Sequence, residues 1–293
     1  MPIYEQTYRR FEGRSLHRFR WMVIVEQEIR LLIKQKVFMV LAFSALMVSI
    51  LFFAVVILND VIKQNPQKYQ MIAMALSQAT MVQVNAKLFY NFLLMQTPIV
   101  FLSCLYAGSG MICNDFRNNH MEVYFSKPIS WVDYALGKIL TLVFIGLAYM
   151  ALPAILLTLI HNLMLPGKET FLESWWWPFA ILGFTLTITL PCALGVLASS
   201  ALLKSQNYAA IAIFMILIAD SGMAGLLAET LRKSNYLVLS FPVAINRVGE
   251  QFFKVPRPTF DLPWGWSMLF VVLVCLLSTW IIAGRVRRAE IAA

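Results

Sequence analysis

An all-α membrane protein is the fold class the sequence predicts, from three observations: the composition, six long uncharged runs, and the lack of strand-like alternation. The 293-residue chain is 60% hydrophobic and 13% charged, with a mean hydropathy of +0.71. Soluble domains average roughly 45–50% apolar and about 25% charged residues. A chain of this size with so little charge cannot cover a water-facing surface. That excludes an ordinary cytosolic enzyme, and the abundance of Leu, Ile, Val and Phe excludes disorder. A backbone facing lipid must satisfy its own hydrogen bonds, which favours helices. A barrel would need alternating strands of about ten residues, and these runs do not alternate.

The six runs are Val37–Leu58, Phe92–Cys113, Ile139–Ile160, Pro178–Leu203, Tyr208–Ala228 and Trp264–Gly284. At about 1.5 Å per residue, the first makes roughly 33 Å of helix against a hydrocarbon core of about 30 Å. Only the fifth contains an ionisable residue, Asp220. One domain is expected over 1–293: a tail and interfacial helix over 1–36, a six-span bundle over 37–284, and a second tail over 285–293.

Net charge is +9, from 24 Lys and Arg against 15 Asp and Glu. On a membrane chain that surplus is a signal of sidedness, because cytoplasmic segments collect Lys and Arg, and no nucleic-acid partner is expected. Six spans put both termini on one side, which then holds 15 basic residues against 9 on the other. Eight of them precede the first span and three directly follow the last. Both termini are therefore expected in the cytoplasm, with the chain a multi-pass protein of the inner (plasma) membrane. Trp175, Trp176 and Trp177 open the fourth span and Trp264 and Trp266 the sixth, at the outer headgroup layer. The first apolar run exceeds the 7–15 residues of a signal core and is expected to act as an uncleaved anchor. The cysteines, Cys104, Cys113, Cys192 and Cys275, lie in apolar runs without metal-ligand spacing and read as small buried apolar residues.

Between the spans, Leu16–Lys36 reads as an amphipathic helix on the inner surface. Phe19, Met22, Val25, Ile29, Leu32 and Ile33 recur at helical steps opposite Arg20, Gln27, Arg30 and Lys34, a pattern suited to an anionic leaflet. Two external connections are long. Asn59–Asn91 contains Asn65-Pro66, a turn signal, and Met71, Met74 and Met81, which read as packing residues rather than a copper site. Glu229–Pro263 contains the mildly apolar patch Tyr236–Ile245, too short to span but able to dip into the outer leaflet. Pro153 and Pro191 are expected to kink their helices, and Gly195 with Ser199 to form a packing seam. His161, at the outer end of the third span, reads as an interface residue.

The catalytic inventory is nearly empty. His17, His120 and His161 form no H-E-x-x-H or similar arrangement, and Gly137-Lys138 lacks both the upstream glycine and the following hydroxyl of a phosphate loop. No catalytic residue, metal site or bound cofactor is expected in this chain, and it is not expected to be an enzyme.

The informative stretch is the loop between the second and third spans, residues 114–138. Asp115, Arg117, Glu122, Lys127 and Asp133 alternate there with Phe116, Val123, Tyr124, Phe125 and Trp131. Aromatics among charges suit a docking surface; equally, the aromatics could rest on headgroups around a solvated loop. Pro128 is expected to break the loop into two short helical pieces.

An acidic residue closing the second span, then Lys127-Pro128-Ile129-Ser130, then Tyr134-x-Leu136-Gly137-Lys138 entering the third, resembles the type-two ABC export permeases. Glu26-x-Glu28-x-Arg30 followed by Lys34-x-Lys36 is similar to that family's membrane-entry helix, and the span spacing matches over nearly the whole chain. The resemblance implies that six-span subunits pair, as homo- or heterodimers, and that each docks on a separate ATPase subunit, so ATP is supplied by the partner. It implies a coupling helix over Asp115–Ser126, with Asp115, Phe116, Arg117, Glu122, Tyr124, Lys127, Pro128 and Trp131 as docking residues. The patch Tyr236–Ile245 is similar in placement to the family's outer re-entrant helices.

Asp220 lies in Ala219-Asp220-Ser221-Gly222-Met223-Ala224-Gly225. A charged carboxylate at mid-span costs at least about 2.5–3.5 kcal/mol, so it must face protein or a wet cavity. Asp220, Ser221 and Gly225 are candidates for a pathway or subunit interface; a hydrogen-bonded Asp is the alternative. Two rival functions remain on the sequence: a proton-coupled secondary transporter using Asp220, and a non-transporting membrane scaffold.

Overall fold

A computed structural model describes residues 20–64, 67–69, 84–126, 129–232, 234–255 and 263–292. Asn65-Pro66, Met71, Met74, Met81, Lys127 and Pro128 lie outside the described residues. The described chain is helical, and six helices are long and apolar enough to cross a membrane.

Helix α1 (Arg20–Ile33) stops at a break at Lys34–Gln35, and α2 (Lys36–Gln64) is the first span. Ile24, Val25 and Leu32 form the buried face of α1. The Trp21 carbonyl and the Ile24 side chain lie so close to Gly137 that a Cβ there would come within 2.8 Å of Ile24. Met22 and Ile33, 59% and 53% exposed, lie outside this face.

The second span is α3 (Ala86–Met111), started by Asn85, whose Oδ1 accepts the Leu88 amide at 3.1 Å. The loop after it forms two short helices, α4 (Cys113–Arg117) and α5 (His120–Phe125). A break the sequence did not announce falls between them at Asn118-Asn119, and after Phe125 the next described helix starts at Trp131. Asn119 takes the left-handed conformation (φ 55°), which Asn adopts more readily than most residues.

The third span is α6 (Trp131–Gly146), a π-helical turn (Leu147–Ala151) and α7 (Leu152–Met164). Pro153 sits just past the π turn. Its missing amide and its ring are incompatible with regular bonding one turn back, so the irregularity appears before the proline. After α8 (Lys168–Ser174), the fourth span α9 (Trp177–Leu202) runs through Pro191 as one helix. It is the most enclosed span: the core forms around Ile181, Phe184, Ile188, Ala193 and Leu197. Gly146 is where the third span meets it, because a Cβ there would overlap the Thr189 side chain.

A three-residue link joins α9 to the fifth span, α10 (Gln206–Thr230), as antiparallel neighbours. A 3₁₀ segment (Ser234–Leu239) and helix α11 (Phe241–Phe252) lead to the sixth span, α12 (Trp264–Ala292). Cys104, Cys113 and Cys192 are buried and Cys275 half-buried, all as free thiols.

The segment after α10 turns back into the bundle. The Phe241 amide, at the start of α11, donates to Asp220 Oδ2 at 2.6 Å. Asp220 lies ten residues before the end of α10, roughly 15 Å inside it at about 1.5 Å per residue. From that depth α11 climbs out again. The Tyr90 hydroxyl donates to the Asn246 carbonyl at 3.3 Å, and Gly249 lies flush on the rings of Phe184 and Tyr90. Beyond the helix, Lys254 sits over the Trp176 ring, 4.9 Å from its centre. The dip anticipated over Tyr236–Ile245 is thus a re-entrant hairpin whose ascending arm extends to Phe252.

Candidate functional site

Helix α1, the loop helices α4 and α5, the start of α6 and the end of α12 meet at one end of the bundle. Their junction is built on Lys138, which is only 1% exposed. A lone buried ammonium is strongly disfavoured, and this one is fully engaged. Its Nζ donates to Glu28 Oε1 of α1 at 2.6 Å and to Asp115 Oδ2 of α4 at 2.8 Å. It also lies 5.3 Å from the ring centre of Tyr134 and 6.0 Å from that of Tyr124, within cation–π range.

Asp115 is the second hub. Its Oδ2 also accepts the Tyr134 hydroxyl at 2.7 Å, and its Oδ1 lies 3.3 Å from His120 Nδ1. Burial pushes the Tyr124 phenol above its ordinary value, against the pull of the Lys138 ammonium. The ring packs edge-on against Tyr134, centres 5.3 Å apart. Ser130 and Asp133 close a reciprocal cap at the start of α6: the Ser130 Oγ accepts the Asp133 amide, and Asp133 Oδ2 accepts the Ser130 amide. The Trp131 amide donates to Glu290 Oε1 of α12 at 3.2 Å, and the Arg285 guanidinium lies 5.3 Å from the Phe116 ring centre. The last turns of α12 are thereby tied to the same junction.

These contacts sort the residues expected to dock. Asp115 is buried, and Phe116, Tyr124 and Trp131 are half-buried; their side chains hold the junction together from within. Arg117, Asn118, Asn119, His120, Glu122 and Val123 remain exposed on its outward face, Val123 at 59%. A cavity of about 450 Å³ opens beside the junction, lined by Glu28, Asp115, Tyr106, Tyr124, Lys138 and Gln206 among others.

Lys138 and Glu28 are junction residues that sequence reasoning missed in these roles. The available signal was a charge at the membrane edge that required partners, but one of its two carboxylates, Glu28, lies 110 positions away.

At the opposite end, His161 is 4% exposed rather than an interface residue. Its Nδ1 lies 2.9 Å from both carboxylate oxygens of Asp60, which is fully buried, and its ring stacks on Trp177 with centres 5.9 Å apart. Asp60 was expected in the external connection, but α2 continues to Gln64, whose Nε2 donates to the Met164 carbonyl. The pair pins the first span to the third beside the fourth, and the signal for it was a His and an Asp at adjacent span ends.

Asp220 caps α11, as described above, while Ser221 Oγ lies 3.5 Å from Ser240 Oγ. Gly222 and Gly225 have nothing within 4 Å of an added Cβ, and α10 is the least covered span. Gly195 faces α10, its added Cβ meeting Ile213 at 3.4 Å. The chain matches no family model and no curated protein.

Proposed function

We propose that this chain is the membrane-spanning subunit of an ATP-driven exporter, with both termini in the cytoplasm of a cell whose inner membrane it crosses. The residue 113–125 elbow docks on a separate ATPase subunit, and two membrane subunits pair to form the transport unit. The observation that carries the reading is the Lys138 junction. A connection that merely linked two spans would not need a buried ammonium bonded to carboxylates from two other helices. Such a junction makes α1, the loop helices and the foot of the third span move as one body, which a lever driven from outside the membrane requires. The exposed face of Arg117, His120, Glu122 and Val123 is available for the partner.

ATP in this scheme is bound and hydrolysed by the partner, and this chain's residues transmit displacement. The test is to co-express the chain with a phosphate-loop ATPase encoded beside it, then assay the purified assembly for ATP hydrolysis. Co-purification with hydrolysis supports the proposal. Cargo movement by the chain alone, following the proton gradient, favours the secondary-transporter reading instead.

A further inference from the structure

Beneath the re-entrant hairpin lie two adjoining apolar cavities, of about 370 and 110 Å³. Both are lined by Phe101, Cys192, Leu217 and Phe241; Phe270 and Asp220 complete the smaller, and Thr97 and Asn246 join the larger. Asp220 supplies the one formal charge in either lining. Its Oδ2 accepts the Phe241 amide, and among the described residues it forms no ion pair. The carboxylate stands roughly 15 Å inside α10 by helical rise, where burying a charge is expensive.

Capping α11 does not by itself call for that charge. A neutral carbonyl oxygen, as in Asn, accepts a first-turn amide as well. What a carboxylate adds is a negative charge at the edge of an apolar cavity, near phenyl rings whose faces attract cations. Pockets that fix one polar group among many apolar ones recognise ligands built the same way.

We propose that these cavities form a binding site for lipophilic cations, an apolar body carrying a quaternary or protonated amine-type charge. The body fills the space between Phe101, Leu217 and Phe241, and its charge lies against Asp220. As a statement about cargo, this rests on the transport reading above; as a binding site, it is measurable without the ATPase.

The probe is tetraphenylphosphonium, titrated into the purified full-length chain in detergent, with neutral triphenylphosphine oxide as its uncharged counterpart. Wild type is expected to bind the cation saturably and at least tenfold more tightly than the oxide. Asp220→Asn, which keeps the cap, is expected to lose at least tenfold in cation affinity and little for the oxide. Leu217→Trp, which fills the cavity and keeps the charge, is expected to weaken both. Equal affinity of wild type for the two probes, no saturable binding, or an unchanged cation affinity in Asp220→Asn overturns the proposal. The comparison on wild type stands even if a variant fails to fold. Because ATPase docking is assayed separately, a failure here leaves the coupling reading intact, and a failure there leaves the site intact.

Discussion

Lys138 shows how one side chain decides the behaviour of several elements. Buried ion pairs add little net stability compared with apolar packing, but breaking one by removing a single partner costs about 3–5 kcal/mol, because the other charge is left unpaired. Lys138→Met removes the cation shared by Glu28 and Asp115. Asp115 is the more enclosed of the two carboxylates, its side chain 11% exposed against 17% for Glu28, so most of the loss falls there. The variant is expected to destabilise the chain by roughly 3–5 kcal/mol, read as a lowered unfolding midpoint in detergent. Lys138→Met with Asp115→Asn is expected to recover a measurable part of the loss. A single variant as stable as wild type would mean the junction is not electrostatically held. The Asp60–His161 pair follows the same logic at the other end of the bundle.

At the scale of elements, the spans were legible and their partnerships were not. Hydropathy is a local signal, and helix length follows from the thickness of the hydrocarbon layer. The run Trp264–Gly284 accordingly begins where α12 begins, and Tyr208–Ala228 differs from α10 by two residues at each end. The loop is helical too, though the piece expected over Asp115–Ser126 is divided at Asn118-Asn119. What the sequence did not display was direction. The aromatic-and-charge pattern of residues 114–138 suited a docking surface and a solvated loop equally and did not say which side chains turn in, whereas the fold turns Asp115 inward and leaves Arg117 and Glu122 outside. Nor did it reveal the depth of the re-entrant hairpin, which depends on a bond between residues 21 positions apart. That hairpin makes its own prediction. Gly249 lies against Phe184 and Tyr90 so closely that an added Cβ would come within 2.8 Å of Tyr90 and nearer still to Phe184. Gly249→Ala is expected to cost about 1–3 kcal/mol through overpacking and to speed hydrogen exchange selectively in α11. Unchanged exchange there would show that the helix does not rest on those rings.

For the whole molecule, burial is uneven in a way that bears on assembly. The core forms around α9, while α10 and α2 are largely uncovered. A membrane helix can expose apolar residues to lipid without penalty, so exposure alone selects no partner. Small residues, however, permit close helix approach, and Gly222 and Gly225 leave open space beside α10. If two copies pair through this face, Gly225→Cys in a cysteine-free background is expected to form an inter-chain cross-link in membranes. A Cys at exposed Leu163 of α7, on another span, is expected to form none. The reverse pattern would move the subunit contact elsewhere.

The most direct test of the central claim concerns the outward face of the elbow, Arg117 and Glu122. Both are exposed and neither takes part in the Lys138 junction, so exchanging their charges changes the surface and not the scaffold. The measurement is the affinity of the co-expressed ATPase for wild-type chain and for the Arg117→Glu, Glu122→Arg variant, both in lipid nanodiscs. The account predicts at least a tenfold loss of affinity, about 1.4 kcal/mol, with an unchanged unfolding midpoint. Equal affinity for the two chains, or no binding of the ATPase to wild type, would contradict it.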